Sequence, residues 1–538
     1  MRSSQVLFAV CLLLGCKRAP DATRVVPDAA PVAPPGWLPV LGRVVDGKAD
    51  CVVEGRDGDG TVRAQLAVRA DGHFVAHAPA EVIEWRARCG SERSAYGRRL
   101  PPGTGVPIVL HTKWKQLRID VREESNGAWL ASRIVIKGRD GDLDPSFGAD
   151  FQSPGSGPIW DSEGSAVVAL PPGKYRVYAS KGIEWDLASA DVVVTEDEAK
   201  PLALLLHHSV NTDGLIAADF HVHCEGSFDS HVTREARARS LAAAGIEFAV
   251  PTEHDRAGSY PERKDLRWAP GAELTPDKPS FGHVGAFPWR ATTMPRTVGT
   301  TPDAFVKQTR ALDSKALLVM HHPRFKDGIG YLNEVPGTRD AFPFDGFELM
   351  NGYASASVKG PLSLLADLEA IGLTGKHPFV TASSDSHKQL YGWAGYPRTY
   401  VQSASNEPAE VLAALRAGRT TLSAGPVVLF HADGKGPGNF VQPGRLVSLR
   451  AEVRAAAWVH IARVSFYAGG TLLQSFAVED SDKPVRAIVQ GSYTMPDHGF
   501  VTAVAEGTRN LGESLPFLDA MPLGIAGPVW IRDAQQRP

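Results

Sequence analysis

The sequence predicts a multidomain protein in which an α/β region is flanked on both sides by β-sandwich domains. Three observations predict it. A chain of 538 residues exceeds what one hydrophobic core fills and suggests three or four domains. Two stretches, about 40–210 and from about 426 onward, carry short apolar alternations of period two separated by turn residues. Between them, apolar runs alternate with helical ones, the texture of a parallel α/β sheet or barrel.

Taken in order, residues 6–14 form an apolar run behind Met1 and Arg2 that is too short to span a bilayer. The run ends in Leu13-Leu14-Gly15-Cys16, which resembles a bacterial lipobox. Residues 1–16 therefore read as a lipoprotein signal peptide with Cys16 as the lipidated residue. The competing readings are an ordinary signal peptide or a buried strand. Residues 17–39, rich in Pro, Ala and Asp, read as a flexible tether. The expected protein is exported and lipid-anchored to a bacterial membrane, periplasmic or at the cell surface. It would touch the membrane through the lipid alone.

Residues 40–112 read as an N-terminal sandwich, with Asp-Gly turns at Asp57-Gly58, Asp59-Gly60 and Asp71-Gly72. Cys51 and Cys89 flank strand-rich sequence, and an oxidising compartment permits a disulfide between them, two buried thiols being the alternative. Residues 113–212 repeat the all-β character, with Leu117-Arg118-Ile119-Asp120-Val121 as one strand and Pro171-Pro172-Gly173 as a hairpin turn. Both regions resemble carboxypeptidase-regulatory-like sandwiches, a likeness of fold only. Residues 213–425 alternate helices at 235–244, 302–312, 362–371 and 407–417 with strands such as 246–250, 316–320 and 379–382. Residues 426–538 return to strands and read as a C-terminal sandwich.

The net charge of −3 offers no electrostatic footprint for nucleic acid, so none is expected as a partner. No Gly-rich phosphate loop sits between strand and helix, and no G-x-S-x-G elbow is present, which argues against a serine hydrolase.

The chemistry concentrates in the α/β region, which holds nine of the seventeen histidines. Their placement matters more than their number. Asp219-Phe220-His221-Val222-His223 alternates, so His221 and His223 leave one face of a strand. Cys224 should point the other way and pack. Later strand ends finish in His254, in Glu273, at His283, in His321-His322, and in Asp385-Ser386-His387. A lone His at a strand end is more often a core residue than a ligand. Six successive strand ends finishing in His, Asp or Glu converge on one mouth in a barrel, and a metal cluster follows.

These motifs resemble those of the polymerase-and-histidinol-phosphatase (PHP) superfamily. The carriers are His221-Val222-His223 with Ser227 and Asp229, Thr252-Glu253-His254-Asp255, Gly271-Ala272-Glu273 with Gly282-His283, His322-Pro323-Arg324, and Ser384-Asp385-Ser386-His387. Within it the chain is most similar to the CehA/McbA-like metallohydrolases, through Pro145-Ser146-Phe147-Gly148, Pro172-Gly173-Lys174-Tyr175 and the stretch 420–426. The resemblance spans about 115–533. It implies a distorted (β/α)7 barrel holding two or three divalent transition-metal ions, Zn, Mn or Fe. His221, His223, Glu273 and Asp385 would hold the first. Glu273, His283 and His322 would hold the second, and Asp229, His254 and His387 the third. Asp229 fills a slot that is His or Asp in the family. Glu253 replaces the usual Asp and would support the neighbouring histidine.

The implied activity is hydrolysis of a small-molecule phosphoester, or of a carboxylic or carbamate ester or amide, by metal-activated water. Arg324, Asp385 and His254 are the residues expected to act on substrate. Arg324 would grip an oxygen, with a structural ion pair as its alternative role. His321, next to a ligand, would point the opposite way and serve in packing or in support of the ligands. Asn351 and Tyr353 would line the pocket, His231 and Tyr391 its rim, and Glu348 is a possible ligand without a motif. The alternative function is a lipid-anchored surface-binding protein whose vestigial barrel keeps metal for stability.

Overall fold

The computed structural model describes residues 34–532 apart from 46–50, 90–91, 94–97, 112–113, 153, 277–280, 327–328, 335–341 and 353–357. Cys16, most of the expected tether and Tyr353 lie outside the described residues. The described part is multidomain and mostly β. None of its helices is long and apolar enough to cross a membrane.

The first strand, Trp37–Val45, begins inside the expected tether, because Trp37 to Arg43 pair with the antiparallel strand His73–Pro79. This sheet also takes Ile108–His111, and it faces a second sheet built on Cys51–Arg56 and Glu84–Cys89. Trp85, Phe74 and Val53 fill the space between the sheets. Cys51 stands opposite Cys89 in the ladder, and a disulfide joins them.

The next region packs a three-stranded sheet, Ser165–Leu170, Lys115–Glu123 and Leu202–Leu206, on a five-stranded one. Period two decides its core. Leu117, Ile119 and Val121 are fully buried, while Arg118 and Asp120 between them face water.

The α/β region mixes parallel and antiparallel pairings, where the alternation of its elements predicts a parallel sheet or barrel. Leu215–Val222 pairs in parallel with Phe248–Pro251 but antiparallel with Arg398–Gln402. A separate sheet runs Ala272–Leu274, Val284–Phe287, Leu317–Met320, Gly346–Asn351, Phe379–Ser383, and its first two pairings are antiparallel. Isolated bridges, Val222 with Ser386 and His254 with Glu273, link the first sheet to both edges of the second. The pairings are mixed, and few helices cover them. The helices that do form follow their sequence signals. Arg234–Ala243 starts at Thr233, whose hydroxyl accepts from Ala236 N, and Pro302–Leu312 starts with proline behind the capping Thr301.

The boundary expected at 425/426 falls inside one continuous sheet. Thr420–Ala424 pairs with Leu523–Ala526, which pairs with Gly499–Glu506. Of the C-terminal strands, Arg463–Ala468, Gly499–Glu506 and Leu523–Ala526 extend the sheet of the α/β region, while Val427–Ala432, Leu446–Arg454 and Val485–Thr494 form a separate three-stranded sheet, and both share the cores of that region. Five buried strands without enough covering helix need another apolar layer, and Phe500, Ile525 and Trp530 supply part of it.

Candidate metal centre

Where the two sheets meet, the chain ends of the strands bring imidazoles and carboxylates into one cluster. Leu215–Val222 delivers His221 and His223, both completely buried. His221 Nε2 lies 3.1 Å from Glu273 Oε1 and 3.1 Å from Asp385 Oδ1. His223 Nε2 lies 3.4 Å from Glu273 Oε2 and 3.3 Å from Asp385 Oδ1. Glu273 also faces His283 Nδ1 at 3.3 Å, His322 Nε2 at 3.4 Å and His254 Nδ1 at 3.2 Å. Beyond it, Asp229 Oδ2 lies 3.4 Å from His254 Nε2 and 3.2 Å from His387 Nε2. All nine residues expected as ligands from the sequence therefore stand together.

The backbone bends to do this. His322, Asp385 and Asp255 all have positive φ, at 23°, 50° and 48°. Non-glycine residues adopt that region at a steric cost and concentrate there at functional sites. The turn at His322 also corrects the expectation for His321. Strict alternation would send it away, but with the chain twisted at His322 both rings reach Glu273. His321 Nδ1 sits 2.9 Å from Glu273 Oε1, and its ring stacks on His221 at 3.6 Å. Room for it comes from Gly285, where a Cβ would stand 2.3 Å from His321 Nε2.

A ring of buried groups orients the cluster. Glu348 Oε1 faces His221 Nδ1 at 3.1 Å, and its Oε2 accepts from His322 N and Asn351 Nδ2. Asn351 also donates to Asp385 Oδ2 at 3.1 Å. Glu348 therefore orients ligands. Glu253 accepts from Ser227 Oγ at 2.7 Å, and Ser227 Oγ contacts His223 Nδ1 at 2.9 Å. Ser227 Oγ also accepts from His254 N at 3.2 Å, so through Ser227 Glu253 reaches both the adjacent His254, as expected, and His223. Cys224 is buried as expected, and its Sγ also donates to Glu253. Nothing in the sequence pattern singled out Asp219 or Arg237. Asp219 accepts from Ser384 N, Ser384 Oγ and Gly395 N, which fixes the turn into Asp385. Arg237 donates to His223 O at 2.9 Å and Ser386 Oγ at 2.7 Å. Asp219 shares the strand face of His221 and His223, and that alternation was the available signal.

Arg324 is a correction. Its Nε and Nη2 are forked onto Asp367 at 2.5 and 2.6 Å, the structural pair that was its alternative role. Asp367 is buried on the helix Lys359–Gly372, so the fork ties the loop after His322 to that helix. His231 and Tyr391 lie at the surface.

Burial disfavours charge on every group here, yet the carboxylates stay ionised. Burial pushes Glu273 and Asp385 upward, but the His221 charge, with His283 beside Glu273 and His387 beside Asp385, holds both well below the usual carboxylate range. Burial also depresses His221, and Asp385, Glu273 and Glu348 override it, so its proton affinity is well above normal. His223 goes the other way, since burial and the charge of His387 outweigh its carboxylates.

Four overlapping groups bring their ligand atoms within 4.8 Å of one another. They are His223, Asp229, His254 and His387; His221, His322 and Asp385; His221, Glu273 and His321; and His254, Glu273 and His283. His221 Nε2, His223 Nε2 and His322 Nδ1 are buried and make no hydrogen bond. Buried imidazole nitrogens without hydrogen bonds, next to ionised carboxylates, fit divalent metal ions with nitrogen and oxygen preference.

No protein-family model matches the chain, and no curated protein matches it. Among solved structures it is similar to a two-domain protein containing a predicted PHP-like metal-dependent phosphoesterase from Bacteroides vulgatus. The identity is 16% over 60% of this chain and 97% of that one, with a TM-score of 0.34. It is also similar to the Bacillus anthracis TIE protein, at 13% identity over 35% of this chain and 36% of that one, TM-score 0.15. A CARDB domain from Pyrococcus furiosus in complex with di-metal ions matches 20% of this chain and 90% of its own length, at 18% identity and TM-score 0.15.

Proposed function

We propose that this chain is a metal-dependent hydrolase of the PHP type that cleaves an ester bond, phosphoric, carboxylic or carbamic, in a small molecule. The observation that carries the reading is Glu273. Its two oxygens face His221, His223, His254, His283, His321 and His322, all between 2.9 and 3.4 Å. A carboxylate so surrounded would serve as a ligand shared between ions rather than as a partner in a simple ion pair.

His221, His223, Glu273 and Asp385 would hold one ion. Glu273, His283 and His322 would hold a second, and Asp229, His254 and His387 a third. Bound divalent ions would lower the pKa of water toward neutrality and stabilise developing oxyanion charge. The chain's own groups do the rest. Asp385, fixed by Asn351, stands against His221 and His223 and is placed to take a proton from water. His254, steadied by Thr275 Oγ1 on Nδ1 at 2.9 Å, presents Nε2 beside the half-exposed Asp229 at the open side. With Arg324 engaged by Asp367, no role in substrate binding is assigned to it.

Export and lipidation at Cys16 belong to the same proposal, and the Cys51–Cys89 disulfide fits an oxidising compartment. Labelled palmitate should be incorporated by the wild type and not by Cys16→Ser.

The test is metal analysis of the purified protein with turnover of p-nitrophenyl phosphate, bis-p-nitrophenyl phosphate and 1-naphthyl methylcarbamate, with and without Mn and Zn. Metal-dependent turnover of at least one substrate is expected. A folded preparation that takes up no transition metal would end the reading.

A further inference from the structure

Phe228 is 77% exposed although it is aromatic, and it stands in sequence between Ser227 and the acid Asp229. One ring face stacks on His254, centroids 4.7 Å apart and planes 26° from parallel. The other face has no ring packed on it among the described residues. Leaving a Phe side chain in water forgoes roughly 1.5–3 kcal/mol of burial.

The segment carrying it is held, not loose. Ser230 Oγ donates to His387 O at 2.7 Å. Next in the chain, His231 meets the edge of Phe151 at 5.7 Å. Phe151 belongs to the preceding sandwich, not to the α/β region. Its neighbour Asp150 pairs with Lys388 Nζ at 3.1 Å and accepts from Gln389 N at 2.7 Å, immediately after His387. The sandwich loop is thus fastened to both segments that carry the outer ligands Asp229 and His387.

We infer that Phe228 is the seat for an uncharged, flat group of the substrate. The loop around Asp150 and Phe151 is the second wall of the mouth and sets how far Phe228 stands from the centre. Phe228 is then a specificity residue, and Phe151 a positioning residue acting through His231. The inference rests on the hydrolase reading for the reacting end of the substrate, and it adds what the other end must be.

The experiment uses full-length Zn-loaded protein and two non-hydrolysable probes, phenylphosphonate and methylphosphonate, with affinities read by calorimetry. The wild type should prefer the phenyl probe by about tenfold, the size of one well-placed apolar contact. Phe228→Ala should reduce the preference to about twofold or less, Phe228→Trp should keep it, and Phe151→Ala should lower it to about threefold. The tryptophan variant separates a stacking seat from a merely structural ring. Overturning results are a wild-type ratio near one, a ratio that Phe228→Ala leaves unchanged, or binding of neither probe. Failure of the hydrolase reading shows separately, as no turnover of the three ester substrates by metal-loaded wild-type protein.

Discussion

Two parts of the molecule bury charge, and they solve the problem in opposite ways. In the second sandwich, Arg133 and Asp161 face each other across antiparallel strands, with side chains 3% and 1% exposed. Their fork, at 2.8 and 3.1 Å, pairs the two charges directly and leaves only Arg133 Nη1 without a hydrogen bond, and the Trp393 ring lies 4.6 Å from the guanidinium carbon. At the centre, Glu273, Glu348 and Asp385 are buried with no arginine or lysine among the described groups facing them, but imidazoles, the Asn351 amide and the His322 backbone N–H. Imidazoles can neutralise three acids only by being protonated, and protonated rings stacked at 3.6 to 4.0 Å repel. One arrangement is closed and the other calls for a cation from outside. A buried ion pair with matched partners is a structural device, whereas a buried cluster of excess ligands is a binding site.

That contrast can be broken or sharpened by experiment. The largest effect is expected from Asp385→Ala, which should lower kcat/KM by about a thousandfold or more and reduce bound metal. A variant with full activity would show that the cluster is structural, as the surface-binding alternative requires. Next, Arg133→Met should leave Asp161 buried and unpaired and cost about 3 kcal/mol in denaturant unfolding, with metal content unchanged. Loss of metal in that variant would show that the two systems are coupled. Glu348→Gln removes the charge behind His221 and should weaken metal binding by about 10–100-fold, read by competition with a chromophoric chelator. Chelation should lower the Tm of the wild type by about 5 °C and leave that of Asp385→Ala nearly unmoved. The smallest effect belongs to Arg324→Ala. It should keep kcat/KM within about threefold while destabilising the protein by about 1–3 kcal/mol, because buried Asp367 loses the guanidinium fork. A collapse of KM-dependent activity in this variant would restore its role in substrate binding.

The same contrast explains which residues could be read in advance. Motifs are local, so His221-Val222-His223 and Asp385-Ser386-His387 could be named as candidate ligands from their place at strand ends and their resemblance to family motifs. Arg324 also sat in a motif, but whether it meets substrate or Asp367 depends on a helix 43 residues on. His321 was misplaced because alternation holds only while φ stays extended, and the turn at His322 breaks it. Glu348 was visible as the one acid in the apolar strand Gly346–Asn351, yet its partner His221 is 127 residues away.

Sequence alone determined the residue types of the centre, the three stretches of strand and helix texture, the helices near 235–244 and 302–312, and the pairing of Cys51 with Cys89 as a possibility. These follow from short-range rules: period, capping, turn chemistry and compartment. Tertiary structure alone decided that several C-terminal strands continue the α/β sheet, that Arg324 serves Asp367, that Glu253 reaches His223 through Ser227, and that a loop of the second sandwich is fastened to the segments carrying Asp229 and His387. Each of those depends on which distant surfaces pack together. Packing is chosen by the whole apolar surface at once, and no local window of residues carries that information.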